Sequence, residues 1–338
     1  MKTSSVVLDS YEGTDIKEFT VENSNGVRMS AITLGATFKE LSVPTDGGHH
    51  KNLLRDFKSS AKYLDNPYYL CQAIGRTAGR IENGQIEIKG NKVQLLQNEG
   101  KTTLHGGPHG FNSRIWDGSV ADDTITFTTH IDSGSDSYPG DMDVKIEYTL
   151  NDDNEATVKF TAKSDEDTLF NPTIHAYFNL SDDEDIFGQT LMIHSDNHLE
   201  LKGDKTPSGN FIENKNTPYD FLSGANLKEA LDKVEKQDGH AFDEVFAINK
   251  GLKDDEIATL EDPKSKRKVT IKSSRNGLVV FTPDGWKEDT GFENYGAIAL
   301  EAQNIPDLTH HDNFEGKGNY FLDAGVEKSH SITYKVEF

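Results

Sequence analysis

Polar and apolar residues alternate with a period of two along much of this 338-residue chain, and that pattern decides its fold class. Val144, Ile146, Tyr148 and Leu150 alternate with polar neighbours. Ala156, Val158, Phe160 and Ala162 repeat the pattern after the turn Asn151-Asp152-Asp153-Asn154. Successive side chains of a strand point to opposite faces, so this reads as a β-hairpin with one buried face. Ile125, Phe127 and Thr129 form another alternating run. Gln85–Ile88 and Val93–Leu96 flank the turn Lys89–Lys92. Val27–Leu34, Val269–Ile271, Leu278–Thr282 and Ile332–Phe338 read as further strands. Helical spacing is convincing at Leu227, Ala230, Leu231 and Val234, and Ser59–Leu64 is expected to form a second short helix. Many short strands between Gly, Asp and Asn turns predict an all-β sandwich or barrel with few short helices. No fixed repeat and no Pro/Ser-rich linker interrupts it, so residues 1–338 are expected to form one domain.

Composition narrows the function. Asp and Glu number 57 against 35 Lys and Arg, a net charge of −22. Such a surface repels phosphate backbones and anionic lipids, so neither nucleic acid nor a membrane is an expected partner. Cys71 is the only cysteine, which rules out an internal disulfide and fits a reducing compartment. Met1–Ser10 lacks the apolar run of a signal peptide, and no stretch approaches about 20 apolar residues. The expected location is cytoplasmic. His49-His50, His310-His311 and the acidic run Ser181–Asp185 are expected in loops.

Five segments carry polar residues where the local pattern does not ask for them. Arg76 and Arg80 sit four apart among small residues, and a guanidinium there could hold hydroxyls or a neighbouring carboxylate. In Leu104-His105-Gly106-Gly107-Pro108-His109, the Gly-Gly-Pro forbids a helical zinc pair, and His105 is as well explained by loop hydrogen bonds as by catalysis. His175 lies inside the apolar, aromatic stretch Phe170–Leu180. A satisfied core histidine is the ordinary explanation, and a general acid the alternative. Alternation at Phe242-Asp243-Glu244-Val245 separates the two carboxylates onto opposite faces, so one must point into the core or a cleft. Glu301 ends the apolar run Ala297–Leu300. It is either solvated at a strand end or a base whose pKa burial would raise. No Cys/His ligand spacing, EF-hand loop, phosphate loop or Ser-His-Asp signature is present, and no metal is expected.

Singly these segments are weak, but their order and wording resemble the aldose 1-epimerase (galactose mutarotase) family over nearly the whole chain. The resemblance is carried by "GVRMSAITLGATFKELSVP", "NPYYLCQAIGRTAGRI", "LQNEGKTTLHGGPHGFNSRIWDG", "SYPGDMDVKIEYTL", "NPTIHAYFNLS", "HAFDEVFAI" and "ALEAQNIPDLTHH". It implies a large antiparallel β-sandwich of the mutarotase-like supersandwich type, without a cofactor, acting on a small sugar as a monomer or homodimer. It also implies site roles. His175 would protonate the ring oxygen, Glu301 would take the anomeric hydroxyl proton, and His105 would steady charge near the ring. Gly79, Arg80, Tyr177, Asp243 and Phe281 would contact the sugar. The chain departs from the family pattern at Gly79, where Asn is common, and at Ala302, where Thr is usual. It departs again at Leu70-Cys71 and Arg55, where Gly is common.

The implied activity is interconversion of the α and β anomers of an aldohexose such as galactose or glucose. Alternatives are a preference for maltose or a hexose 6-phosphate, and a non-catalytic sugar sensor on the same fold. A glycosidase would need two carboxyls flanking the bond, for which Asp243 and Glu301 are the available pair.

Overall fold

A computed structural model describes residues 1–316 and 320–338. The described residues form three main antiparallel sheets of five, six and nine strands. The hairpin read from the sequence lies in the interior of the nine-stranded sheet. Met142–Leu150 pairs with Glu155–Ser164 in register from Met142↔Ser164 to Leu150↔Ala156, and Glu155–Ser164 then pairs with Glu327–Glu337. The alternating apolar side chains Ile146, Tyr148, Val158 and Phe160 are all fully buried. They share one core with Leu278, Val280 and Leu300 from the inner face of the six-stranded sheet. Two sheets packed face to face across such a core make a β-sandwich. Phe38 of the five-stranded sheet joins this core against Tyr148 and Tyr334.

The helix expected at residues 227–235 runs Leu227–Asp238. Asn226 caps it by accepting from the Glu229 amide, Gly239 ends it in a left-handed conformation, and Leu227, Ala230, Leu231 and Val234 are its buried stripe. Three local expectations need correction. Ser59–Leu64 holds one 3₁₀ turn, Ser60–Tyr63, in place of a helix. The turn after Gln85–Ile88 is tighter than expected. Ile88 pairs directly with Asn91, so Lys89-Gly90 makes a two-residue connection and Leu95 and Leu96 fall beyond the strand. His50 begins a short strand, His50–Asn52, at the edge of the five-stranded sheet.

The six-stranded sheet matters most for the site. Its order is Tyr177–Phe178, Ile298–Gln303, Gly277–Phe281, Asp243–Ala247, Asn197–Leu201, Pro207–Glu213. Its inner face belongs to the main core. Its outer face is covered by loops and by a second apolar cluster that includes Ile81, Leu95, Tyr138, Leu199, Val245 and Ile305.

Candidate active site

Period-two alternation puts the chemistry on the outer face of that sheet. The register pairs Asp243 with Phe281 and Phe281 with Ala299, and it pairs Ala299 with Tyr177. One step along, Val245 pairs with Val279 and Val279 with Glu301. Asp243, Val245, Val279, Phe281, Glu301 and Tyr177 all line one pocket of about 220 Å³. A water occupies about 30 Å³ of liquid, so the space suits a small polyhydroxylated ring. The neighbours Leu278, Val280, Leu300 and Ala302 point the other way, into the core. Ala302 therefore departs from the family pattern on the face opposite the pocket.

His175 reaches the same pocket because the chain changes sheets there. Thr173–Ile174 pairs with Ala73–Ile74, whereas Tyr177–Phe178 pairs with the strand that carries Glu301. Between them the backbone is pinned on both sides. The His175 amide donates to the Gln72 carbonyl (3.1 Å), and the Cys71 amide donates to the His175 carbonyl (3.0 Å). The Leu300 amide donates to the Ala176 carbonyl (3.2 Å). The buried Arg275 guanidinium donates to the Pro172 and Ala302 carbonyls, tying the segment before His175 to the residue after Glu301. The outcome is a His175 Nε2 to Glu301 Oε1 distance of 3.3 Å, with both side chains almost completely buried.

The electrostatics follow from that burial. Desolvation pushes the Glu301 carboxyl well above the usual carboxylate range, with Asp243 adding to the push and Arg80 opposing it. Desolvation also pulls the His175 imidazole far below its ordinary value. Burial, then the proximity of His175 and Arg80, does the same to His105. Burial thus favours a proton on the carboxyl beside a neutral ring. Carboxylate plus imidazolium contains the same number of protons, so the two forms differ only by a shift from Oε1 to Nε2.

The loop carrying His105 is shaped by its glycines. A Cβ on Gly106 would stand 2.1 Å from the Gly75 carbonyl oxygen, so only glycine allows this approach. Thr103-Leu104 pairs with Arg80-Ile81, which sets His105 beside Arg80. The Gly79 amide donates to His105 Nδ1 (3.3 Å), leaving Nε2 to carry the ring proton. The imidazole packs edge-on against Tyr69 (centroids 4.8 Å apart) and against His175 (5.5 Å). Tyr177 stacks on His175 at 4.9 Å and on Trp286 at 5.5 Å, and its hydroxyl donates to the Tyr68 carbonyl.

Two ion pairs stand at the more exposed part of the pocket. Arg80 Nε and Nη2 fork onto Glu99 at 2.6 and 2.9 Å, and Lys205 Nζ lies 3.5 Å from Asp243 Oδ2. Burial is the largest single influence on Arg80 and opposes its charge, but the fork onto Glu99 together with the charges of Asp243, Glu99 and Glu301 outweighs it and raises the guanidinium pKa.

Every residue to which the family resemblance gave a role lines this pocket: Gly79, Arg80, His105, His175, Tyr177, Asp243, Phe281 and Glu301. Arg76 does not. Its guanidinium is buried on the Pro139 and Gly140 carbonyls and ties loops together. His109 is exposed and paired with Asp136. Sequence reasoning missed Tyr69, Glu99 and Lys205, all of which line the pocket from loops. An aromatic pair, Tyr68-Tyr69, in a Pro-containing loop was the available signal for the first.

Among the described residues three clusters have ligand atoms within 4.8 Å of one another, as a metal ion would need, and one of them, His130, Asp132 and Asp141, is fully exposed. In His105, His175 and Glu301, Nε2 of His175 already faces the carboxylate. In Glu82, Asp307 and His310, the Lys202 ammonium, 2.7 Å from Glu82, already supplies the positive charge.

A family model described as aldose 1-epimerase matches residues 17–335. This chain belongs to the aldose 1-epimerase family. The chain is 40% identical over 329 residues to the maltose epimerase of Levilactobacillus brevis, covering 95% of each. It is 38% identical to an aldose 1-epimerase of Streptococcus thermophilus, covering 100% of this chain and 98% of the relative. Among solved structures, galactose 1-epimerase from Lactobacillus acidophilus superposes with a TM-score of 0.87 at 25% identity, covering 99% and 98% of the two chains. The fold is thus mutarotase-like, and the protein is an isomerase that interconverts the anomers of an aldose.

Proposed function

We propose that His175 and Glu301 are the acid and base of this aldose 1-epimerase and that maltose is among its substrates beside glucose and galactose. The observation that carries the mechanism is the 3.3 Å contact between His175 Nε2 and Glu301 Oε1 at the closed end of the pocket. In the working form Glu301 is the carboxylate and His175 the imidazolium. Glu301 takes the proton of the C1 hydroxyl, and the O1 electrons form the C1 carbonyl as the C1–O5 bond breaks. His175 gives its proton to O5. Rotation about C1–C2 presents the other carbonyl face, and the same transfers run backwards to close the ring. Oxidation state is unchanged, so the two proton carriers suffice for the chemistry, each supplying roughly 10²–10⁴ in rate.

His105, with its proton on Nε2, donates to charge growing near the ring oxygen. Arg80 and Asp243 hold ring hydroxyls, Gly79 lets the backbone approach the sugar, and Tyr177 and Phe281 offer it apolar surface. Maltose enters the proposal because a relative of 40% identity is a maltose epimerase. A hexose 6-phosphate is disfavoured, since both cations that line the described pocket, Arg80 and Lys205, already face carboxylates. A core cluster running from Ile16 to Val336 supports reading residues 1–338 as one domain. Polarimetry on freshly dissolved α-D-glucose, α-D-galactose and maltose tests the substrate range. Acceleration over buffer is expected for all three, and a maltose rate equal to buffer would remove that sugar.

A further inference from the structure

The pocket is graded from end to end. Side-chain exposure is 2% at Glu301 and 7% at His175, then 22% at Arg80 and 26% at Asp243, and reaches 34% at Lys205 and 41% at Glu99. If C1 and O5 sit against the buried dyad, as the mechanism above requires, the opposite side of the pyranose ring points outward. C4 lies across a six-membered ring from C1. A substituent on O4 must therefore leave through the end framed by Glu99 and Lys205.

That end suits a second sugar ring. Glu99 is an acceptor held in place, because its carboxylate takes the Arg80 fork and the Thr102 hydroxyl (3.2 Å). Lys205 is a donor on a tight turn whose amide bonds back to the Lys202 carbonyl (2.9 Å). Leu201 and Tyr69 add apolar surface to the same pocket. One fixed acceptor and one flexible donor beside apolar walls match a neutral polyol better than an anion or a cation.

Resting on the proposed acid–base reading, we infer that Lys205 and Glu99 form a subsite for the non-reducing ring of a 4-O-linked reducing disaccharide. Lys205 is then a specificity-determining residue, because it donates to hydroxyls that a monosaccharide lacks.

The test compares kcat/KM for mutarotation of maltose and of glucose in the full-length protein and in Lys205→Met, which keeps the aliphatic stem. The maltose-to-glucose ratio is expected to fall about tenfold, the scale of one lost charge-assisted hydrogen bond. Lys205→Arg, which keeps the donor, is expected to hold the ratio within a few-fold of the parent by the same reasoning. In the parent protein a 2-O-linked glucose disaccharide is expected to be accelerated far less than maltose, since O2 neighbours the buried C1. Equal losses on both sugars in Lys205→Met would show that Lys205 acts only through Asp243 and would overturn the subsite. An unchanged ratio, or equal acceleration of the 2-O- and 4-O-linked sugars, would overturn it too. Acceleration of glucose without maltose would sink the subsite and leave the acid–base reading standing. Acceleration of neither sugar would instead remove that reading itself.

Discussion

His175 Nε2 and Glu301 Oε1 stand 3.3 Å apart although 126 positions separate the two residues in sequence. One backbone hydrogen bond, from the Leu300 amide to the Ala176 carbonyl, lies beside both residues and fixes their segments together. Glu301 could not slide along its strand without breaking that register, since a one-residue slip would turn it into the core. His175, between two short strands, is pinned through its own amide and carbonyl to Gln72 and Cys71. The pair is therefore held by the sheet itself rather than by a mobile loop.

Because the dyad shares one excess proton, its pH profile should differ from that of an isolated Glu and His. Burial raises Glu301 above its ordinary 4.5 and lowers His175 below its ordinary 6.5. His175 falls to about 3, so the one-proton state begins in acid and ends where the raised Glu301 carboxyl gives up its proton. Log kcat/KM against pH should show its acid limb below pH 4.5 and no inflection near 6.5 that belongs to His175. An inflection near 6.5 that disappears in His175→Asn would contradict this picture.

Gly79 has φ +76°, and a Cβ there would lie 2.7 Å from Pro306 Cβ. Gly79→Ala should lose about 1–3 kcal/mol of stability from backbone strain and overpacking. It should also lower activity, because the Gly79 amide orients His105. Denaturant melts beside rate measurements check both effects. Wild-type stability in the variant would show that Pro306 moves aside freely.

Glu244 sits on the core face behind Asp243, where it accepts the Asp243 amide at 2.7 Å. Burial is the main cause that pushes its carboxyl up to about 8. The folded protein thus keeps a proton that the unfolded chain releases above its ordinary value of 4.5. Its neutral-form contribution is full below pH 4.5 and is lost as pH rises toward 8. Glu244→Gln, which keeps an acceptor for that amide, should unfold at a higher temperature than the parent at pH 8. The gap should shrink by on the order of 1 kcal/mol per pH unit as pH falls toward 5. A pH-independent gap would place the carboxylate in contact with water.

Much of the fold was legible because burial on one face writes itself into the sequence, as in Met142–Leu150 and Glu155–Ser164. The first strand, Lys2–Tyr11, is exposed on both faces, so no alternation marks it. At Asp243-Glu244, alternation correctly required one carboxylate to turn inward, and Glu244 is that residue. The resemblance supplied the inner site residue by residue. Glu99 and Lys205 stayed hidden because each lies in a loop and takes its meaning from a partner distant in sequence, Arg80 or Asp243. Ala302 departs from the family pattern, but the strand register turns it away from the pocket, which the sequence alone does not reveal.

The central claim is that anomer interconversion runs through His175 and Glu301. The direct measurement is the polarimetric relaxation of α-D-glucose and maltose by the parent protein, Glu301→Gln and His175→Asn, with a thermal melt of each. Each variant should retain a cooperative melt and lose roughly 10²–10⁴ of the parent's rate over buffer. A folded Glu301→Gln or His175→Asn protein that keeps the parent's rate would contradict the account.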